Sequence, residues 1–127
     1  MWRYEQRTGS LSQKTTWVSG HAPVVFTGYA GKGAGKNSPI MQDVEAVGPL
    51  PRGRYTIGAP VTHATVGVYA LPLTPDPRNE MYGRSGFFIH GDSLDHPGEA
   101  SHGCLVFSRS VRELIWKSGD HVLEVAG

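Results

Sequence analysis

Two short apolar runs and the segment that follows them decide how this chain is read: Gly86-Phe87-Phe88-Ile89-His90, then Gly103-Cys104-Leu105-Val106-Phe107, then Ser108-Arg109-Ser110-Val111-Arg112-Glu113-Leu114-Ile115-Trp116-Lys117. The first two are rich in β-branched and aromatic residues and are bounded by glycine, which predicts short buried strands. The polar stretch from Gly91 to Ser101 predicts a loop between them. In the third segment Val111, Leu114 and Ile115 recur at helical spacing, with Ser108 as N-cap and Gly119 as the stop.

Outward from this centre the chain reads as strands broken by turns. Trp2 to Gln6 and Thr15 to Val18 flank a turn at Gly9 and Ser10, and Pro23 to Thr27 predicts a third strand. Gly28 to Asn37 is a glycine-rich loop, either a mobile surface loop or a flap on a groove. Gly48-Pro49-Leu50-Pro51 is a rigid turn feeding a strand through Ile57. Ala64 to Leu73 predicts another strand, ended at Thr74 to Pro77, and His121 to Val125 closes the chain as a strand. The expectation is a single mainly β domain over residues 1–127 with one short helix after the cysteine strand.

Composition agrees and excludes several classes. Of 127 residues, 17 are glycine and 9 proline, which suits many turns, while 39% hydrophobic content supports a core. The formal charge of +1, with no basic stripe, argues against a nucleic-acid partner bound through phosphates. No run approaches the roughly 18 apolar residues of a membrane span, so no membrane insertion is expected. The polar opening Met1-Trp2-Arg3-Tyr4-Glu5 predicts no secretory signal peptide.

The single cysteine, Cys104, is either an inert small hydrophobe or a reactive thiol. Its neighbours favour chemistry. If the strands ending at His90 and opening at Cys104 are adjacent, an imidazole base meets a thiol nucleophile. Gly91 and Gly103 allow close approach of a substrate backbone, and the amides around His102, Gly103 and Cys104 can face a developing oxyanion. His90, His96, His102 and Cys104 also form a possible metal set, although their spacing lacks the close pairs of zinc sites. The loop at Gly35-Lys36 fails as a P-loop, having Ala30 and Asn37 where glycine and Ser/Thr are needed. Arg84 is either a clamp for a substrate carboxylate or a structurally paired arginine. Asp92 either orients a histidine or caps the following turn. His21, His63 and His121 read as structural or exposed, and Trp2, Trp17 and Trp116 as packing residues.

Ile89-His90-Gly91 followed by Ser101-His102-Gly103-Cys104 resembles the active-site signature of the L,D-transpeptidases, cysteine enzymes that process peptidoglycan stem peptides. Tyr4-Glu5-Gln6, Gly28-Tyr29, Gly35-Lys36-Asn37, Gly48-Pro49-Leu50-Pro51, Tyr82-Gly83-Arg84-Ser85-Gly86-Phe87 and His96-Pro97-Gly98-Glu99-Ala100 narrow the likeness to the L,D-transpeptidase-like effectors of the type VI secretion system. The resemblance implies an L,D-transpeptidase-like β-sandwich with Cys104 as nucleophile and His90 as base. It implies that the Gly91 carbonyl orients the base and that Ser101, His102 and Gly103 shape the pocket and oxyanion hole; Tyr82, Arg84 and Asp92, close in sequence to His90, are expected at the substrate. The implied activity is removal of the terminal D-Ala from tetrapeptide stems, or its exchange for another D-amino acid, with no cofactor and no metal. The implied partners are peptidoglycan stem peptides, the secretion apparatus and a cognate immunity protein. The implied route runs from the producer's cytoplasm, without a signal peptide, to the periplasm of target bacteria. Two departures stand out: ten residues separate His90 from Ser101, a short gap, and Val106 stands where many members carry arginine. A housekeeping L,D-transpeptidase and a non-enzymatic module binding peptidoglycan or a metal are the alternatives.

Overall fold

A computed structural model describes residues 1–13 and 24–127. The predicted strand at Thr15 to Val18, together with Trp17, His21 and Pro23, lies outside the described residues. The elements in chain order are β1 (Trp2–Glu5), β2 (Ser10–Gln13), β3 (Val25–Thr27), β4 (Gly53–Ile57), β5 (Val61–His63), β6 (Gly67–Pro75), β7 (Phe88–His90), β8 (Leu105–Val106), α1 (Arg109–Lys117) and β9 (Val122–Ala126). Two single 3-10 turns lie at Gly33–Gly35 and Pro39–Met41. The domain is mainly β with one helix after the cysteine strand, as its sequence pattern predicts.

Hydrogen bonding links the strands in the order β3-β2-β1-β9-β4-β6-β7-β8, with β5 paired to β6. The layering comes from one curled path. Two neighbours are parallel, β1 with β9 and β7 with β8; the other pairs are antiparallel. Tyr4, Leu11, Tyr55, Leu71, Ile89, Leu105 and Leu123, from seven different strands, are all but sealed from solvent and form one core. Alternation along each strand sends these side chains to one face.

Two sequence expectations shift here. The stretch from Ala64 to Leu73 resolves into a hairpin: β5 ends at His63, the turn falls at Ala64 to Val66, and β6 runs on to Pro75. The partner of β1 is β2 at Ser10–Gln13, because Gly9 takes the left-handed conformation (φ 73°) and turns the chain at once. The Ser108 side chain accepts from the Val111 N–H, which caps α1, and Gly119 ends it at φ 75°.

The helix buries a different arc from the predicted one. Arg112 and Ile115 are buried, Val111 and Trp116 are partly covered, and Leu114 is 47% exposed. At about 100° per residue, Val111, Ile115, Arg112 and Trp116 span one side, and Leu114 falls outside it. A buried arginine takes the place that pattern matching assigns to leucine. Ile115→Ala is therefore expected to destabilise the fold by about 2–5 kcal/mol, against well under about 1 kcal/mol for Leu114→Ala, in urea titrations.

Candidate active site

The parallel pairing of β7 with β8 sets His90 opposite Val106, two residues past Cys104. Strand alternation then puts the imidazole and the thiol on the same face of the pair. Both line a cleft of about 900 Å³. His90 is only 4% exposed. Its Nδ1 lies 2.8 Å from the Gly91 carbonyl oxygen. A carbonyl only accepts, so Nδ1 carries the proton and Nε2 keeps its lone pair.

Cys104 sits just ahead of β8. Its sulfur accepts from the Phe88 N–H at 3.3 Å and faces the Gly86 carbonyl at 3.9 Å. Burial pushes the thiol pKa up, against the Phe88 hydrogen bond and the charge of Arg84. Burial pushes the His90 pKa below 6.5, and the Arg112 charge adds to this, while Gly91 and Asp92 oppose it. Both shifts favour a neutral thiol beside a neutral imidazole at neutral pH, rather than a standing ion pair.

The turn from Ser101 to Cys104 is built around one buried hydroxyl. Ser101 Oγ donates to the Cys104 carbonyl at 2.6 Å and accepts from the Gly103 N–H at 3.0 Å and the Gly31 N–H at 2.9 Å. The Gly103 N–H is therefore engaged, which leaves the amides of Phe88 and Cys104 facing the sulfur. Gly103 adopts φ 136°, and a Cβ there would lie 2.5 Å from Arg84 Nη2 and 2.9 Å from the Phe87 ring. No side chain fits. His102 is exposed and lines the cleft.

Arg84 takes the structural of its two possible roles. It is 6% exposed and donates to the carbonyls of Gln42 (2.6 Å), Pro49 (2.8 Å), Gly48 (2.9 Å) and His102 (3.2 Å). It thus ties the Gly48-Pro49 turn to the cysteine turn. Asp92 takes the capping role: Tyr29 OH donates to it at 2.6 Å, as do the N–H groups of Ser93 (2.8 Å) and Gly98 (3.1 Å). Burial works against ionisation of Asp92, but these hydrogen bonds outweigh it and hold its pKa below the usual carboxylate value. Tyr82 is 45% exposed on the loop before β7 and is not among the residues lining the cleft.

Several contributors carry no local signal in the sequence. Tyr29 pairs with Val106, and its hydroxyl, besides donating to Asp92, accepts from the Ala100 N–H at 2.9 Å. Burial, then the Asp92 bond, push its pKa up to about 12. The glycine-rich loop is thereby fastened at Tyr29 and Gly31, and within it Lys32 lines the cleft. His63, read as structural or exposed, lines the opposite rim with Thr65 and Val66, its ring 5.1 Å from that of Phe88. Arg112, buried on α1, donates to the carbonyls of Val68 and Tyr69 at 3.0 Å and packs beside Gly91. Four histidines line the cleft, yet among the described residues no three His, Cys, Asp or Glu side chains stand close enough to hold a metal.

In this small β domain a histidine at the end of β7 and a cysteine just ahead of β8 line one cleft. A family model described as the Tlde1 domain matches residues 24–125, and the chain belongs to that family, a family of type VI secretion effectors. Such effectors are secreted into target cells, which makes the secretion apparatus and an immunity protein the partners the family suggests. No curated protein and no solved structure matches the chain significantly. Among the described residues no helix is long and apolar enough to cross a membrane.

Ser101→Ala removes the shared acceptor of two buried N–H groups, each costing about 1–3 kcal/mol when unpaired. The expected result is a loss of roughly 2–4 kcal/mol of stability and a melting point lowered by several degrees. Thermal melts followed by circular dichroism check this.

Proposed function

We propose that this effector is a cysteine acyltransferase that removes the terminal D-Ala from peptidoglycan tetrapeptide stems, or exchanges it for another D-amino acid, in the periplasm of the target cell. The observation that carries this reading is a cleft lined by both Cys104 and a buried His90, whose Nδ1–H is held by the Gly91 carbonyl. That tautomer leaves Nε2 as the base for the thiol.

The steps follow from the neutral resting pair. Cys104 Sγ attacks the carbonyl carbon of the residue before D-Ala while His90 Nε2 takes the thiol proton. The carbonyl oxygen gains the negative charge, and the backbone N–H groups beside the sulfur, those of Phe88 and Cys104, are the donors at hand. Collapse breaks the C–N bond, His90 returns the proton to the departing amine, and a thioester remains. Water, or the amine of a D-amino acid, then attacks the thioester. His90 takes a proton from the attacking group, and the leaving thiolate regains one. The chemistry needs no cofactor. Gly103 is buried against Arg84 and Phe87, so its missing side chain lets the cysteine turn pack onto them, with Ser101 holding the turn from within. The family's role as antibacterial effectors supports an envelope target.

Mass spectrometry of muropeptides incubated with the wild type should show tetrapeptides losing one alanine, or gaining a supplied D-amino acid. Cys104→Ala should lower that rate by at least about a thousand-fold. Equal trimming by the variant would exclude Cys104 as nucleophile.

The pH profile offers a second check. Activity needs neutral His90, and burial lowers its pKa, so kcat/KM should fall on the acid side with a midpoint below 6.5. A midpoint above 6.5 would mean that the essential base is stabilised in its charged form, contrary to the burial of His90.

A further inference from the structure

The Cys104 sulfur stands between two cavities. Besides the large cleft, a pocket of about 190 Å³ opens beside it. The two share Gly86, His102 and Cys104; Glu45, Arg84 and Phe87 line only the smaller, and His90 lines only the larger. This separation orients a substrate. The amine that leaves must receive its proton from His90, so it lies on the large-cleft side. The tetrahedral carbon then turns its remaining carbon substituent, the acyl-donor residue, away from His90 and toward the smaller pocket.

The pocket's size and charge say what it takes. At about 30 Å³ per water it holds the volume of roughly six waters, enough for an unbranched side chain and too little for a sugar ring. Its back wall is held in place by Arg84, whose guanidinium donates to four backbone carbonyls and is 6% exposed. Leu50 N–H to Gly103 O, at 2.9 Å, fastens the rim to the cysteine turn. On that rim Glu45 is exposed, and among the described residues neither it nor the nearby Asp43 has an ion-pair partner. The charge at the opening is therefore negative, while that of Arg84 is set behind it among backbone carbonyls.

We propose that the smaller pocket receives the side chain of the acyl-donor residue, and that Glu45 selects a side chain ending in a primary ammonium. The assignment rests on the acyl-transfer reading above. It makes Glu45 a specificity-determining residue for the residue before the scissile bond, acting on binding rather than on the chemical step.

The test compares two synthetic tetrapeptides identical except at the third residue, L-lysine in one and the uncharged isostere L-norleucine in the other, with D-Ala release as the readout. The wild type should prefer the lysine peptide roughly two- to five-fold in kcat/KM, the size of a partly exposed ion pair, with the difference carried by KM. Glu45→Gln should bring the two peptides to equal kcat/KM, and Glu45→Lys should reverse the order. Equal wild-type rates on both peptides, or equal losses on both in Glu45→Gln, would overturn the assignment while leaving the reaction intact. A changed KM for an added D-amino acid, with the lysine preference retained, would assign the pocket to the exchanged amino acid instead. A wild type inert on both peptides would remove the acyl-transfer reading and this inference with it.

Discussion

The parallel pairing of β7 with β8 governs how this molecule is built. Parallel neighbours cannot be joined by a tight turn, and the crossover between them usually contains a helix. Here the chain from Gly91 to Cys104 makes that connection without regular structure, so its polar groups must find partners one by one. Asp92 and Tyr29 satisfy the first part, and Ser101 satisfies the last. Those same contacts bring His90 at the end of one strand and Cys104 at the start of the next to the wall of one cleft.

Two buried arginines serve the same end. Neither Arg84 nor Arg112 has a carboxylate partner among the described residues; backbone carbonyls surround both. Carbonyl dipoles from turns and strand ends offset part of the cost of burying a charge, and the planar fork of five donors reaches several at once. Arg84 joins the Gly48-Pro49 turn to the cysteine turn, and Arg112 joins α1 to β6 beside Gly91. Their charges also reach the candidate pair, because Arg84 favours the thiolate of Cys104 and Arg112 disfavours the imidazolium of His90. Burial outweighs the first of these effects and reinforces the second.

The stretches around His90 and Cys104 were legible because several signals coincide there: short apolar runs, flanking glycines and a base within reach of the single cysteine. The cap at Ser108 and the stop at Gly119 were legible because each acts within one turn. Arg84 and Asp92 were ambiguous, since a charged side chain near a candidate base reads equally well as a ligand clamp or a structural partner. Only the carbonyls around Arg84 and the N–H groups around Asp92 separate the two. Leu114 misled because helical spacing alone does not say which arc meets the sheet, and a long arginine stem covers apolar surface nearly as well. Tyr82 drew attention by proximity in sequence, but of its loop it is Gly86, not Tyr82, that lines the cleft.

What the amino-acid sequence determined by itself was local: the β-rich pattern with one helix, a cysteine and a histidine as the candidate pair, and the tight turns at glycine. What the tertiary structure decided was which distant groups meet. Tyr29 reaches Asp92 and Ala100, Gly31 reaches Ser101, His63 swings over the cleft on a hairpin, and Glu45 comes to the rim of the pocket beside Cys104. The physical reason is that each of these contacts joins segments far apart along the chain, through hydrogen bonds or packing that any tyrosine, glycine, histidine or glutamate can make. Residue type shows that such a contact is available, and only the curling of the sheet selects its partner.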